Sequence, residues 1–383
     1  MEKNEFVLSE TSSVTLDLIR LAAAQAVLLG HATSMLPIFK YVKQPFFPTI
    51  QNISVLVFFI LSGFIIPYST SSRMKKDVNY SFKEYFIERF SRIYSGYLPG
   101  ILFVLLVDSW VVGNFPETYI FHESFNMKSF VANLFMFQNY PIVGNIFHIS
   151  TFGSASPFWT LATEWWIYLS FGWFFVNVRK SLITGLPVSS IIAFLLLSIV
   201  PVYNIFGGGA GGGLSVYWIM GYLVYHVKSI DREKPADNHR EDIIFFLFFG
   251  FSALAYAINT KKEYDGVLAV LFTLSLYFLI GFCQSTKLRY STRTKKLIKF
   301  TAGYSFTLYL VHYTITIFCV FSWKVKISPY FKFLIIIISC NVISATIAYF
   351  TEMRYRNVAS FLKGKYCIWG KSEFICSNKM EGS

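Results

Sequence analysis

Charge is scarce in this sequence: Asp, Glu, Lys and Arg make up 14% of its 383 residues, where a soluble domain averages about 25%. Hydrophobic residues supply 54%, aromatic residues 19%, and the mean hydropathy is +0.50. A soluble globular fold is excluded by that balance, and a polytopic membrane protein is implied. Cysteine is also sparse. Cys283, Cys319, Cys340, Cys367 and Cys376 show neither metal-ligand spacing nor a secreted disulfide framework, so they are assigned no chemistry. No cluster of metal ligands is visible, and no metal is expected. The glycine run GGGAGGG at 207–213 lacks the GK[ST] of a phosphate loop and reads as a flexible outer loop, because glycine costs about 1 kcal/mol per residue in a helix. There is no clear internal repeat and no stretch long enough for a separate soluble domain. Residues 1–13 are polar, and the first apolar run has no small-residue cleavage site, so no removable signal peptide is expected.

What is present is a series of apolar runs, each near the roughly 20 residues that a membrane span needs. They cover 14–36, 49–68, 94–112, 157–177, 182–200, 213–227, 243–259, 264–283, 301–321 and 331–351. The net charge of +13 would suit nucleic acid if it lay along one surface, but the basic residues cluster between the runs. With a cytoplasmic N-terminus, the inner segments hold 25 of the 34 Lys and Arg and the outer ones seven. Basic residues are retained on the cytoplasmic side, so both termini are placed inside. The expected architecture is all-α: a transmembrane domain of about ten helices over 1–351 and a basic cytoplasmic tail over 352–383. Residues 113–156, the longest outer connection, contain FNMKSFVANLFMFQNY, too mixed to span and expected to lie at the interface or re-enter the bundle.

The stretch 16–35, LDLIRLAAAQAVLLGHATSM, places Asp17, Arg20 and His31 inside the first run. Ionisable groups are expensive in hydrocarbon and seldom sit there without a task. Eleven helical residues advance about 16 Å and make three turns plus roughly 20°, so Arg20 and His31 share a face near opposite ends of the span. An Asp17–Arg20 ion pair with a lone polar histidine is the structural alternative. In the second run, Ser62-Gly63 suits either close helix packing or a functional role. Arg89 and Arg92 follow in a basic loop, ERFSRIYSGYLPG. Arginine forks match phosphate oxygens, so these two are candidates for a phosphorylated cofactor, with a positive-inside anchor as the alternative. Glu164, in SPFWTLATEWWIYLSF, falls at a depth similar to His31, where a carboxylate would orient an imidazole acting as general base. A solvated glutamate in an interfacial tryptophan belt is the other reading. His312, in TAGYSFTLYLVHYTI, lies near mid-membrane, as a site residue or an interhelical hydrogen bond.

These stretches, taken in order, resemble the acyltransferase-3 family of integral-membrane enzymes that O-acylate sugars of bacterial cell-surface and exported polysaccharides. LDLIRLAAAQAVLLGHA is similar to the family's LDGLRGLAALLVVLGHA, with its Arg-x10-His spacing on Arg20 and His31. FFILSGFII resembles FFVLSGFLI, and ERFSRIYSGYLPG the R-x-x-R-I-x-P-x-Y element on Arg89 and Arg92. FWTLATEWWIYL resembles FWSLAVEEQFYLL, placing Glu164, and YSFTLYLVHYTI resembles YSLYLWHWPV, placing His312. Ser95-Gly96 stand where a proline is usual, and Trp165 replaces the second acidic residue, leaving Glu164 the only carboxylate there.

The resemblance implies a multi-pass protein of the bacterial cytoplasmic (inner) membrane. It implies an acyl donor, usually acetyl-coenzyme A, used as a substrate from the cytoplasm, with no permanently bound cofactor. It implies an acceptor hydroxyl on a lipid-linked or nascent glycan, with membrane lipids as surroundings and no nucleic-acid partner. On this reading Arg89 and Arg92 hold the coenzyme's phosphates, Arg20 lies near the thioester, His31 is the general base and Glu164 orients it. A transporter or glycan flippase is the rival from another class, since ten spans with intramembrane charges also suit solute movement.

Overall fold

A computed structural model describes residues 6–36, 50–181, 187–208, 211–230, 239–260, 264–286, 290–322, 327–369 and 374–378. Within them the long helices are α1 Glu10–Met35, α2 Ile50–Lys76, α3 Phe82–Asn114, α6 Phe158–Ser181, α7 Val188–Ile205, α8 Leu214–Ile230, α9 His239–Thr260, α10 Gly266–Ser285, α12 Ser305–Ile317 and α13 Pro329–Phe350. They lie over the ten expected spans. Short helices α4 Met127–Leu134, α5 Pro141–Phe147, α11 Thr292–Gly303 and α14 Tyr355–Leu362 complete the bundle, and a hairpin of β1 Lys365–Trp369 with β2 Phe374–Asn378 follows it. Eight helices are long and apolar enough to cross a membrane. The exceptions are α6, diluted by tryptophans and Glu164, and α8, with 17 residues.

The helix ends follow local chemistry. Ser9 caps α1, Asp265 caps α10, and Ser81 with Glu84 forms a capping box on α3, each satisfying amide groups that the first turn leaves open. That box starts α3 twelve residues before the expected span. Arg89 and Arg92 therefore sit on a 33-residue helix and not in a loop, about 50 Å long by helical rise. Pro67, Pro99 and Pro201 lie inside α2, α3 and α7, which neighbouring helices in a membrane bundle tolerate.

At the centre is α12. Its stretch Thr307–Val311 is almost wholly buried, and it packs against α1, α3 and α13. In contrast, α7, α9 and α13 turn Leu195, Phe251 and Ile338 outward, an apolar surface that only lipid or a partner would cover. Helix α2 crosses α8 at close range. A methyl group at Gly63 would collide with the Trp218 carbonyl oxygen, and one at Gly221 with that of Ile60. Close approach therefore explains Gly63, while its neighbour Ser62 faces the other way.

The 113–156 connection does re-enter. After α4 and α5 the chain dips inward, burying Phe152, Ser154 and Ala155. In the described part of the glycine run, buried Asn204 makes contacts that shape the turn. The Asn204 amide donates to the Gly211 carbonyl at 3.0 Å, and its side-chain oxygen accepts from the Ser215 N–H at 2.8 Å. Gly207, Gly211 and Gly213 have φ of 81°, 64° and 94°, the left-handed region that glycine enters without strain.

Candidate active site

Helices α1, α2, α3, α6 and α12 enclose a cavity of about 190 Å³ that gathers most of the polar residues singled out above. Arg20 enters from α1, Ser62 from α2, Arg89 and Arg92 from α3, and Glu164 from α6. Phe58, Leu61 and Ile66 make the walls largely apolar, so the charges act in a poorly screened space. The i, i+3 geometry of α1 brings the Asp17 carboxylate to 3.4 Å from the Arg20 guanidinium. The ion pair proposed as the alternative is thus present, and Arg20 lines the cavity as well.

Glu164 accepts a hydrogen bond from the Tyr168 hydroxyl, one helical turn along α6, and lies within reach of the Ser62 hydroxyl. Arg20, Arg89 and Arg92 share the cavity with it. Arg89 donates from Nη2 to the Ser69 hydroxyl at 3.3 Å and lies over the Tyr85 ring, while its buried Nε has no hydrogen-bond partner among the described residues. Arg92 is held differently. Its Nη1 donates to Glu352 Oε1 at 2.8 Å, and Glu352 is wholly buried.

The histidines lie beyond this cavity. His31 and His312 have ring centroids 5.3 Å apart, and the Tyr313 ring stands perpendicular to His31 at 5.0 Å. His312 Nδ1 is 3.0 Å from the Leu308 carbonyl and 2.8 Å from that of Tyr309. Carbonyls only accept, so Nδ1 carries the proton and Nε2 presents a lone pair. That Nε2 is buried and has no partner among the described residues. Between cavity and histidines stands Tyr309. Its hydroxyl is bonded to that of Thr160, and its ring lies 6.0 Å from His312.

One expected contact is corrected. Glu164 and His31 form no hydrogen bond among the described residues: Glu164 opens into the cavity with Arg20, and His31 pairs with His312. The similar depth expected from the span ends does not make them neighbours: α6 turns Glu164 into the cavity that Arg20 lines, about three helical turns along α1 from His31. Three residues important to the site also went unread. Glu352 falls in the segment that the sequence reads as a basic tail, yet it closes onto Arg92. Tyr309 was one tyrosine among 24, and nothing in its spacing marked it. Asp108, in FVLLVDSWVV, was legible by the argument that found Arg20, being a lone charge in an apolar run.

Asp108 is buried and accepts from the Tyr119 hydroxyl at 2.7 Å, the Ser154 N–H at 2.7 Å and the Ser154 hydroxyl at 2.8 Å. Ser154 Oγ is also 2.8 Å from the Thr314 hydroxyl of α12, two residues past His312. Burial first and Asp108 second push the Tyr119 phenol above its ordinary range, which keeps it a donor.

The order of these residues along the chain agrees with a match to the family described as Acyltransferase domain, acyltransferase-3 type, over residues 14–353. The chain belongs to this family. It is also 20% identical over 288 residues to the Bacillus subtilis (strain 168) protein named Putative peptidoglycan O-acetyltransferase YrhL. That alignment covers 69% of this chain and 44% of the relative, so the chain matches less than half of that protein's length. No solved structure matches. The family's Arg-x10-His pair is thus divided between two stations: Arg20 belongs to the cavity, and His31 to the imidazole pair.

Proposed function

We propose that this protein is an O-acyltransferase of the bacterial cytoplasmic membrane, moving an acyl group, acetyl in the first instance, from acyl-coenzyme A to a sugar hydroxyl of a cell-envelope glycan. The observation that carries this reading is the one cavity shared by Arg20, Arg89, Arg92, Ser62 and Glu164. Arg89 suits a phosphate because no carboxylate pairs with it among the described residues and its fork can offer parallel N–H groups. By the charge distribution of the loops, this end of the bundle faces the cytoplasm, where coenzyme A is made. The acceptor hydroxyl comes from the opposite side, to the histidine pair.

In the transfer, the acceptor oxygen attacks the thioester carbonyl carbon and its proton passes to the imidazole pair, where His312 can only accept at Nε2. The carbon–sulfur bond then breaks, and the coenzyme leaves as a thiolate that takes up a proton. His31 remains the candidate general base, with His312 rather than Glu164 as its neighbour. Glu164, held by Tyr168 among the cavity's arginines, belongs to the donor side.

Purified protein given acetyl-coenzyme A labelled in the acetyl group, together with cell-envelope glycan, should release coenzyme A and yield an alkali-labile labelled ester on the glycan. Glycan movement across reconstituted vesicles with no thioester consumed would favour the transporter reading and remove this one.

A further inference from the structure

Glu352 opens the turn that follows α13 and is 0% exposed. Both of its oxygens are engaged. Oε1 accepts from Arg92 at 2.8 Å, and Oε2 accepts from the Thr307 N–H at 3.0 Å and the Thr307 hydroxyl at 2.8 Å. Arg92 lies over the Phe306 and Tyr355 rings at 5.9 and 5.2 Å, yet its side chain is 29% exposed and faces the cavity. Two of the three cavity arginines thus carry an internal anion, Asp17 on Arg20 and Glu352 on Arg92, whereas Arg89 has none among the described residues.

A carboxylate and a phosphate make the same demand on a guanidinium, two acceptor oxygens in its plane. We propose that Glu352 is a positioning residue of the donor site, holding Arg92 as a stand-in anion that a coenzyme phosphate displaces. This rests on the acyl-coenzyme A reading above. Its consequence is that Glu352 weakens coenzyme binding. Each binding event must break the Arg92–Glu352 contact, and each departure restores it, so the spent coenzyme is released instead of being retained. Thr307 sets how firmly Glu352 is held in place to compete.

The test uses coenzyme A itself as the probe, by titration calorimetry and by the shift it produces in apparent melting temperature, on full-length protein in detergent. Glu352→Gln should bind coenzyme A about five- to tenfold more tightly than wild type, the scale of losing one nearby opposing charge, and should turn over more slowly because release is impeded. Its melting temperature should fall without coenzyme and recover disproportionately with it, since a ligand stabilises in proportion to its binding to the folded state. A carboxylate that only braced the fold would lower both values alike. Thr307→Val keeps the charge and loosens its anchor, so it should also tighten binding, by less, and it carries the test if Glu352→Gln is not recovered from membranes. In an Arg92→Ala background, Glu352→Gln should add nothing to the affinity for coenzyme A. Variants that bind coenzyme A no more tightly than a wild type that does bind it would overturn this proposal alone. A wild type that does not bind coenzyme A would overturn the donor reading and this proposal with it.

Discussion

The cavity and the histidine pair solve the problem of polar groups inside a membrane in opposite ways. In the cavity, charge is met by charge: Arg20 with Asp17, Arg92 with Glu352, and Glu164 in the same cavity as both arginines. The histidines have no ion pair among the described residues, and His312 is fixed by two backbone carbonyls with a lone pair left over. The first arrangement suits a multiply charged ligand that comes and goes. The second suits a neutral group that takes a single proton. Tyr309, bonded to Thr160, separates the two, and the acyl carbon must reach past it for the reaction to occur.

That division can be broken by substitution, and the largest effect is expected at the histidines. Losing a general base typically costs 10²–10⁴-fold in rate. His31→Ala should therefore abolish most transfer while the affinity for coenzyme A stays near wild type, and His31→Gln should not rescue it, because an amide cannot take the proton. Steady-state rates alongside coenzyme titration check both parts. If His31→Ala protein transfers at near wild-type rate, the base lies elsewhere.

On the cavity side, Arg89→Ala should raise the KM for donor about ten- to a hundredfold, the loss of charge-assisted hydrogen bonds, with a smaller effect on kcat. Arg89→Lys should restore only part of this, since the fork is lost. Arg92→Ala should differ from it by also reducing the amount of folded protein, because it strands the buried Glu352 carboxylate. Donor titrations normalised to protein recovered from membranes would separate the two arginines. Equal behaviour would mean that Arg89 is as structural as Arg92.

Smaller effects are expected where residues brace the stations. Asp108→Asn sets an amide against a network of three donors and should cost about 1–3 kcal/mol of stability, lowering thermal resistance in detergent while coenzyme affinity is kept. An unchanged melting curve would show that the Ser154 loop does not depend on Asp108.

Much of this layout was legible in the sequence. The ten long helices follow from apolar runs interrupted by basic loops; Arg20, Glu164 and His31 are marked as polar groups where hydrocarbon surroundings penalise one, and Arg89 and Arg92 as a pair of guanidinium forks suited to phosphate. Lateral neighbourhood was not legible. Counting residues from a span end sets Glu164 level with His31 but does not say which side chains meet, and the structure turns Glu164 into the cavity lined by Arg20. Glu352 was hidden by composition, one acid at the head of a basic segment, and only the fold of the chain after α13 carries it back to Arg92. The capping box that extends α3 was written in Ser81 and Glu84, but the apolar count began later and passed over it.

The separation of donor binding from hydroxyl activation is tested most directly by coenzyme A titration of the His31→Ala/His312→Ala double variant, with acyl transfer measured on the same preparation. Both imidazoles lie outside the donor cavity, so the variant should bind coenzyme A as wild type does and transfer no measurable acyl group. A double variant that has lost coenzyme binding, or one that still acylates glycan, would contradict the account.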